Sequence, residues 1–324
     1  MSRDSHDGDP PERPDLVLGI DGGGTKTIAH LGRASDSGDA VLGEGVAGPA
    51  NAQVIGSEQA IENIGLAIER AFDAGDLEWS SVAGVCFGLA GADRECDSHA
   101  LQAWVDRRRL SSRCIITNDA LPVLFAGTDL GVGVALISGT GSLCLGRNAD
   151  GATARSGGWG YRFGDEGSAY WIAIEALRAA ARAADGRGPK TKLLRRVKRF
   201  YAIERASDLI TKVYSPEQNR AGLAKLATVV FEEASTGDEV AQAILHRAEH
   251  ELAELILSVA NQLQLPPQEP LQVALTGGVL LNQPTLVRQL EDSLAKRSYQ
   301  AVVGTVRNPV AGAVKIARTL ANPH

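Results

Sequence analysis

A strand that runs into a cluster of glycines and leaves as another strand occurs twice in this chain, and that repeat constrains the fold more than any other feature. The first copy is Leu18-Gly19-Ile20-Asp21-Gly22-Gly23-Gly24-Thr25-Lys26-Thr27, which continues into the apolar run 27–32. Three adjacent glycines take every Cβ out of the turn, so backbone N–H groups can approach an anion closely. Asp21, directly before them, is placed to hold a divalent cation through water. Thr25 and Lys26 follow with a hydroxyl and an ammonium group as phosphate partners. This is the chemistry of a nucleoside triphosphate tail with its magnesium. Gly19 and Gly24 stand at the separation of a P-loop, but Thr25 occupies the place where Lys should follow, and a strand comes next where a P-loop has a helix. Taken alone, the segment would equally suit a tight hairpin with no ligand.

The second copy spans 134–145 and turns at Ser138-Gly139-Thr140-Gly141-Ser142. A third apolar run ends in Thr276-Gly277-Gly278 and leads to a helix-like stretch from Pro284. As a set, the three segments resemble the superfamily of actin, the sugar kinases and the heat-shock chaperone ATPases. The resemblance implies that the two hairpins clamp the phosphates from two domains and that the Gly-Gly turn carries the adenosine.

Length and composition fit two domains. The 324 residues allow about two cores of ordinary size, and glycine is abundant at 36. A net charge of −6 argues against a nucleic-acid surface, which needs a basic field. No run approaches the ~20 apolar residues of a membrane span. Residues 1–15 carry charges and prolines without an apolar core, which predicts a disordered tail and not a signal peptide. Cys86, Cys96, Cys114 and Cys144 have no Cys-x-x-Cys or zinc spacing, so they read as free thiols of a reducing cytoplasm.

Between the loops, strands and helices alternate. Strands are expected at 16–20, 27–33, 40–46, 82–87 and 114–117. Ser57 is placed to cap a helix whose Ile61, Ile64, Ile68 and Phe72 recur three or four apart. A short helix over 97–109 ends in Arg107-Arg108-Arg109, a run that reads as a solvated, dipole-favoured C-terminus. Residues 168–263 are almost all helical, and Val240, Ile244, Ala248, Leu252, Ile256 and Val259 share one face. A late strand at 300–306 and a small-residue helix at 309–320 complete the chain. The order predicts an α/β, duplicated ribonuclease H-like (actin-like ATPase) fold of two domains, with the nucleotide and sugar in the interdomain cleft. The first domain is expected over 16–126 and the second, with its helical insert, over 127–324. The last helix (309–321) is expected to pack back on the first domain.

Two further segments carry chemistry. Asn118-Asp119 closes the 114–117 strand, and a carboxylate at a strand end is rigidly held at a cleft. In phosphoryl transfer to an alcohol, such an Asp accepts the hydroxyl proton, and a pKa of about 3.9 keeps it ionised at neutral pH. A bare Asn-Asp also suits an Asx turn or a helix cap. Its place upstream of the second glycine loop favours the catalytic role. The second segment is Gly157-Gly158-Trp159-Gly160-Tyr161-Arg162-Phe163-Gly164-Asp165-Glu166-Gly167-Ser168, with five glycines in eleven residues from Gly157 to Gly167. Its carboxylates are candidates for helix caps, but together with an aromatic face they also suit a sugar site.

Gly22-Gly-Gly-Thr25, Leu136-Ile-Ser-Gly-Thr-Gly-Ser142 and Gly157-Gly-Trp-Gly-x-x-x-Gly-Asp-Glu-Gly-Ser-Ala-Tyr-Trp171 are similar to the N-acetylglucosamine kinases of the BadF/BadG-type ATPase family. The resemblance implies ATP- and magnesium-dependent phosphorylation of the 6-hydroxyl of an amino sugar, in the cytoplasm and by a homodimer. It implies ATP contacts at Gly22, Gly23, Gly24, Thr25, Lys26, Gly139, Thr140, Gly141, Gly277, Gly278 and Asn282. Sugar contacts are implied at Asn51, Asp119, Ser142, Leu143, Gly158, Trp159, Gly160, Tyr161, Arg162 and Asp165, with Asp119 as the base and Asp21 at the metal. Vertebrate members have Glu in place of Asp21 and other residues at Leu143 and Tyr161, which leaves the acyl preference open. Glucosamine, N-acetylmuramate and glucose kinases of the same fold are alternatives. A repressor-type glucokinase lacks support because its Cys/His zinc motif is missing. An activating ATPase for a reductase or dehydratase needs loop cysteines for an iron–sulfur cluster.

Overall fold

The structure is a computed structural model that describes residues 15–36, 38, 40–91 and 95–322, without the side chains of 95–97. Apart from Asp15, the N-terminal tail lies outside the described residues. The chain divides into two compact units, one holding the residues up to Pro122 together with those from Asn308, the other Val123–Arg307.

In the first unit, β1 (Leu16–Gly22), β2 (Thr27–Arg33) and β3 (Gly43–Ala47) form an antiparallel meander. The helices α1 (Ala52–Ile55) and α2 (Ser57–Ala74) follow, then β4 (Gly84–Leu89), α3 (Glu95–Arg108) and β5 (Cys114–Asn118). β4 and β5 run parallel to β1, giving the sheet order β3-β2-β1-β4-β5. Every residue of β4 is buried, as a central parallel strand covered on both faces requires. The division of the chain falls within α4 (Ala120–Gly127).

The second unit repeats the plan. β6 (Gly133–Ser138), β7 (Ser142–Arg147) and β8 (Thr153–Gly157) form a second meander. Six helices then intervene: α5 (Ala169–Ala184), α6 (Leu193–Phe200), α7 (Leu209–Val213), α8 (Arg220–Ala224), α9 (Ala227–Ser235) and α10 (Glu239–Gln262). They are followed by β9 (Leu271–Thr276), α11 (Gly278–Asn282), α12 (Pro284–Lys296) and β10 (Ala301–Thr305). With β9 and β10 parallel to β6, the order β10-β9-β6-β7-β8 matches the first sheet strand for strand. α10 packs across β6, β7 and β8 and buries Ile244, Ala248, Leu252, Ile256 and Val259. The last helix, α13 (Val310–Ala321), belongs to the first unit and packs on β1 and β4. That contact depends on glycine, because a Cβ on Gly19 or Gly84 would collide with the α13 backbone at Val314 or Ala317.

Local details differ from the sequence reading. β3 begins at Gly43 and not near residue 40. Gly56, with φ 85, stands at the cap of α2, and Ser57 is the first helical residue. Arg108 at the end of α3 is exposed but placed: it pairs with Glu69 at 3.2 Å and lies 5.2 Å from the Trp79 ring. No helix among the described residues is long and apolar enough to cross a membrane.

Candidate active site

In the first unit, topology gathers the candidates at one edge of the sheet. β1, β4 and β5 are parallel, with Asp21 opposite Gly88 and Leu89 opposite Asn118. Their carboxyl ends therefore lie side by side, on the edge where open α/β sheets carry ligands. Asp21 on β1 and Asp119 just past β5 arrive there together. Burial pushes the Asp21 carboxyl up to about 7, the Asp119 charge adds to the rise, and Lys26 opposes it. Two close carboxylates resist joint ionisation until a cation joins them. Their hard oxygens suit magnesium, which keeps waters and takes phosphate oxygens as its other ligands. The Asx role falls to Asn118, whose Oδ1 accepts from the Ala120 and Leu121 N–H groups at 3.1 and 3.2 Å.

The first hairpin is stitched down on both sides. The Gly23 N–H donates to the Lys26 carbonyl at 3.0 Å. The Gly22 and Gly23 carbonyls accept from Ala90 at 2.8 Å and Ala50 at 3.0 Å, and the Thr27 hydroxyl donates to Gly48 at 2.7 Å. None of Gly22, Gly23 and Gly24 has a positive φ. Within the protein only Gly22 is needed for close packing: a Cβ on it would stand 2.5 Å from Leu89 and 2.9 Å from Ala50, whereas one on Gly23 would be 3.7 Å from the Lys26 carbonyl and one on Gly24 would meet open space. Gly24, Thr25 and Lys26 are exposed at the tip. Asn51 caps α1, its Oδ1 accepting from Gln53 N–H at 3.0 Å. Gln53 in turn donates to the Gly91 carbonyl at 3.3 Å, so the Ala90-Gly91 turn joins this cluster. The sequence reading passed over that turn, although Gly88-Leu89-Ala90-Gly91 is itself a strand running into glycine.

In the second unit, the β6–β7 hairpin is bolted to the 157–168 loop. The Ser138 hydroxyl donates to Gly167 at 2.9 Å, the Ser142 hydroxyl to Glu166 at 2.7 Å, and Ala169 N–H to Gly139 at 2.9 Å. Gly139 N–H closes the turn on Gly141 at 2.9 Å, while Thr140 is exposed. Ser142 is thus buried and committed to the loop, and Leu143 beside it is half-buried on β7 opposite Gly157. Gly157, Gly158, Gly160 and Gly167 all have positive φ, as does Asp165 at 61°. Gly158 and Gly160 turn the loop so that Trp159, Tyr161 and Arg162 are exposed, Trp159 at 68%. Arg155 braces the loop through the Gly157 and Gly158 carbonyls at 3.2 and 2.7 Å and lies 5.8 Å from the Trp159 ring.

Asp165 is 3% exposed and faces inward. It is not the cap of α5. Ser168 fills that place, its Oγ accepting from Trp171 N–H at 3.2 Å. Instead the Asp165 carboxylate accepts from Ser142 N–H at 3.4 Å and pairs with Arg220. Burial pushes its carboxyl up, and the Arg220 charge opposes the rise. Arg220, at the start of α8, also donates to the Thr140 carbonyl at 3.1 Å. No local pattern in the sequence points to Arg220, which comes from the helical insert.

The third turn lies against the second hairpin because β6 and β9 are parallel neighbours. Gly277 has φ 95, and a Cβ there would collide with the Ser138 carbonyl. The expected helix does begin at Pro284 as α12, but a short helix, α11, already starts at Gly278, and Asn282 Nδ2 donates to the Gly278 carbonyl at 2.8 Å. The described thiols belong to the cores. Cys86 and Cys144 are buried on strands of different sheets, where burial raises both. On β5, Cys114 is pushed up to about 12, chiefly by burial. No cysteine with a described side chain lies in a glycine-rich loop; the side chain of Cys96 lies outside the description.

The model of the BadF/BadG/BcrA/BcrD ATPase family matches residues 18–317. An N-acetylmuramic acid/N-acetylglucosamine kinase of Clostridium acetobutylicum is 35% identical over 94% of this chain and 98% of its own. An N-acetyl-D-glucosamine kinase of Dictyostelium discoideum is 33% identical over the same shares. The solved structure of a candidate N-acetylglucosamine kinase from Chromobacterium violaceum superposes with a TM-score of 0.71 at 24% identity, covering 95% of this chain and 99% of the other. The fold is the two-domain α/β fold of the actin-like ATPases and sugar kinases.

Proposed function

The chain belongs to the BadF/BadG/BcrA/BcrD ATPase family, and from that membership and the site we propose that it moves the γ-phosphoryl group of ATP to the 6-hydroxyl of N-acetylglucosamine. It is an ATP-dependent amino-sugar kinase. The observation that carries the reaction is the meeting of Asp21 and Asp119 beside a glycine hairpin at the carboxyl edge of one sheet. In the step itself, sugar O6 bonds to the γ-phosphorus, the bond from that phosphorus to the bridging oxygen breaks, and ADP leaves. Asp119 accepts the O6 proton and orients the hydroxyl. Asp21 holds magnesium, which when bound neutralises the phosphate oxygens. Gly22, Gly23, Gly24, Thr25 and Lys26, and Gly139, Thr140 and Gly141, bind the phosphates. Gly277, Gly278 and Asn282 take the nucleoside.

For the sugar, the first unit offers Asn51 and Asp119, and the second unit offers its 157–168 loop. Trp159 offers an exposed aromatic face and Asp165 a carboxylate, with Gly158, Gly160, Tyr161, Arg162, Ser142 and Leu143 shaping the surroundings. A relative 35% identical carries N-acetylmuramic acid in its name, which makes that sugar the second acceptor to test. The same reading makes the protein a cytoplasmic homodimer, and sedimentation equilibrium tests the assembly. The deciding assay couples ADP release to magnesium-ATP against N-acetylglucosamine, glucosamine, N-acetylmuramate, N-acetylmannosamine and glucose. Turnover selective for N-acetylglucosamine is expected. Sugar-independent ATP hydrolysis with no acceptor would defeat the reading.

A further inference from the structure

We propose that Arg220 is a positioning residue that ties Asp165 to the peptide between Thr140 and Gly141, so that one side chain of the helical insert sets both the phosphate turn and the sugar-side carboxylate. The inference rests on the kinase reading for the roles of those two loops.

The geometry of the guanidinium is the reason. It is planar and carries five donors in a fixed fork, so it can serve two acceptors in a set relation. Its Nη2 donates both to the Thr140 carbonyl, at 3.1 Å, and to Asp165 Oδ2. A trans peptide is planar, with its C=O and N–H pointing opposite ways. Anchoring the Thr140 carbonyl on Arg220 therefore turns the Gly141 N–H to the other side, as an anion-binding turn requires. Gly141 makes the clamp possible: a Cβ there would collide with the guanidinium and stand 3.0 Å from Asp165 Oδ1.

Other contacts hold the group in place. Asn219 caps α8 by accepting from Gly222 N–H at 2.8 Å, which fixes the backbone that launches Arg220. The guanidinium lies 5.4 Å from the Tyr161 ring and 6.0 Å from the Tyr170 ring, which meet edge to face at 5.2 Å. It thus touches the hairpin, the 157–168 loop and the first turn of α5 together. Its Nε is buried without a hydrogen-bond partner among the described residues. A role limited to neutralising buried Asp165 would be met by any cation. Holding two acceptors on one rigidly oriented nitrogen would not, because lysine carries its donors on a freely rotating ammonium at the end of a flexible stem.

The test compares the wild type with R220Q, R220K and R220Q/D165N. Titration calorimetry with the non-hydrolysable nucleotide AMP-PNP reads the phosphate turn without any sugar, and steady-state kinetics reads transfer. R220Q is expected to weaken AMP-PNP about tenfold and to lower kcat by about 10²-fold, as the loss of an oriented donor does. R220K is expected to keep the thermal midpoint but recover less than about a tenth of kcat. The double variant removes both charges, so it is expected to fold even where R220Q does not, and to stay slow. AMP-PNP affinity and kcat within about twofold of wild type in folded R220Q or R220K would overturn the proposal. A wild type that binds AMP-PNP but phosphorylates no sugar defeats the kinase reading alone, and the affinity difference still decides Arg220. A wild type that does not bind AMP-PNP overturns both.

Discussion

Asp119 and Asp21 share one sheet edge, and the proposed reaction gives them opposite parts, one receiving a proton and the other keeping a cation. The separation is testable because in that proposal only the first acts on the sugar hydroxyl. Asp119→Asn keeps shape and hydrogen bonding but cannot accept the proton. It is expected to lower kcat by about 10²–10⁴-fold while the KM values for sugar and ATP stay within about threefold. Wild-type kcat in this variant would remove Asp119 from the role of base. Trp159, 68% exposed on a loop held by Arg155, is proposed to act on the sugar by contact alone. Trp159→Ala is expected to raise the sugar KM about tenfold and leave kcat nearly unchanged. An unchanged sugar KM would take the ring out of the pocket.

At the scale of the element, caps and turns set where each piece begins. Asp238 caps α10, the longest helix of the second core, accepting from Ala241 N–H at 2.9 Å, Lys192 N–H at 2.7 Å and the Thr191 hydroxyl at 2.9 Å. Burial alone would raise its carboxyl, but these hydrogen bonds outweigh that and hold it below the ordinary 3.8. A folded value below the unfolded one adds stability that is present above the unfolded pKa and lost as pH falls through the folded one. Asp238→Ala is expected to cost about 1–2 kcal/mol at pH 7. In urea unfolding from pH 7 to pH 2, the gap to wild type should close on the acid side of 3.8. A gap constant with pH would show that the carboxylate charge is not what α10 uses. Gly277 is the counterpart among the turns. At φ 95 and against the Ser138 carbonyl, Gly277→Ala meets both strain and collision. A loss of about 2 kcal/mol or more is expected in thermal unfolding.

The whole molecule has two sheets of one topology, yet the chain does not pass through them as two separate halves. After β10 it returns to the first unit, where α13 buries Val310, Ala313, Val314, Ile316 and Ala317. Arg113 receives the end of that helix, donating to the Leu320 and Ala321 carbonyls. The first unit is therefore incomplete until the last residues are present. A chain ending at Arg307 is expected to lose hydrogen-exchange protection in β1 and β4 while β6 and β9 keep theirs. Equal protection in both sheets would show that α13 is dispensable.

Local chemistry settled a good part of this protein. Glycine–threonine turns between apolar strands act within a few residues, so both hairpins, the Gly-Gly turn and the duplicated strand order were legible in the sequence. So was the place of Asp119 directly after a strand. Tertiary structure alone decided the rest. Asp21 meets Asp119 because β1, β4 and β5 share a parallel register. Asn118 braces the start of α4 because its Oδ1 faces the amides of Ala120 and Leu121. Arg220 reaches Asp165 and Thr140 across a helical insert. Gly277 must be glycine because β9 pairs with β6. Each depends on which distant segments pack together, and hydrophobic period and turn chemistry carry no record of a charge or a carbonyl that approaches from elsewhere in the chain.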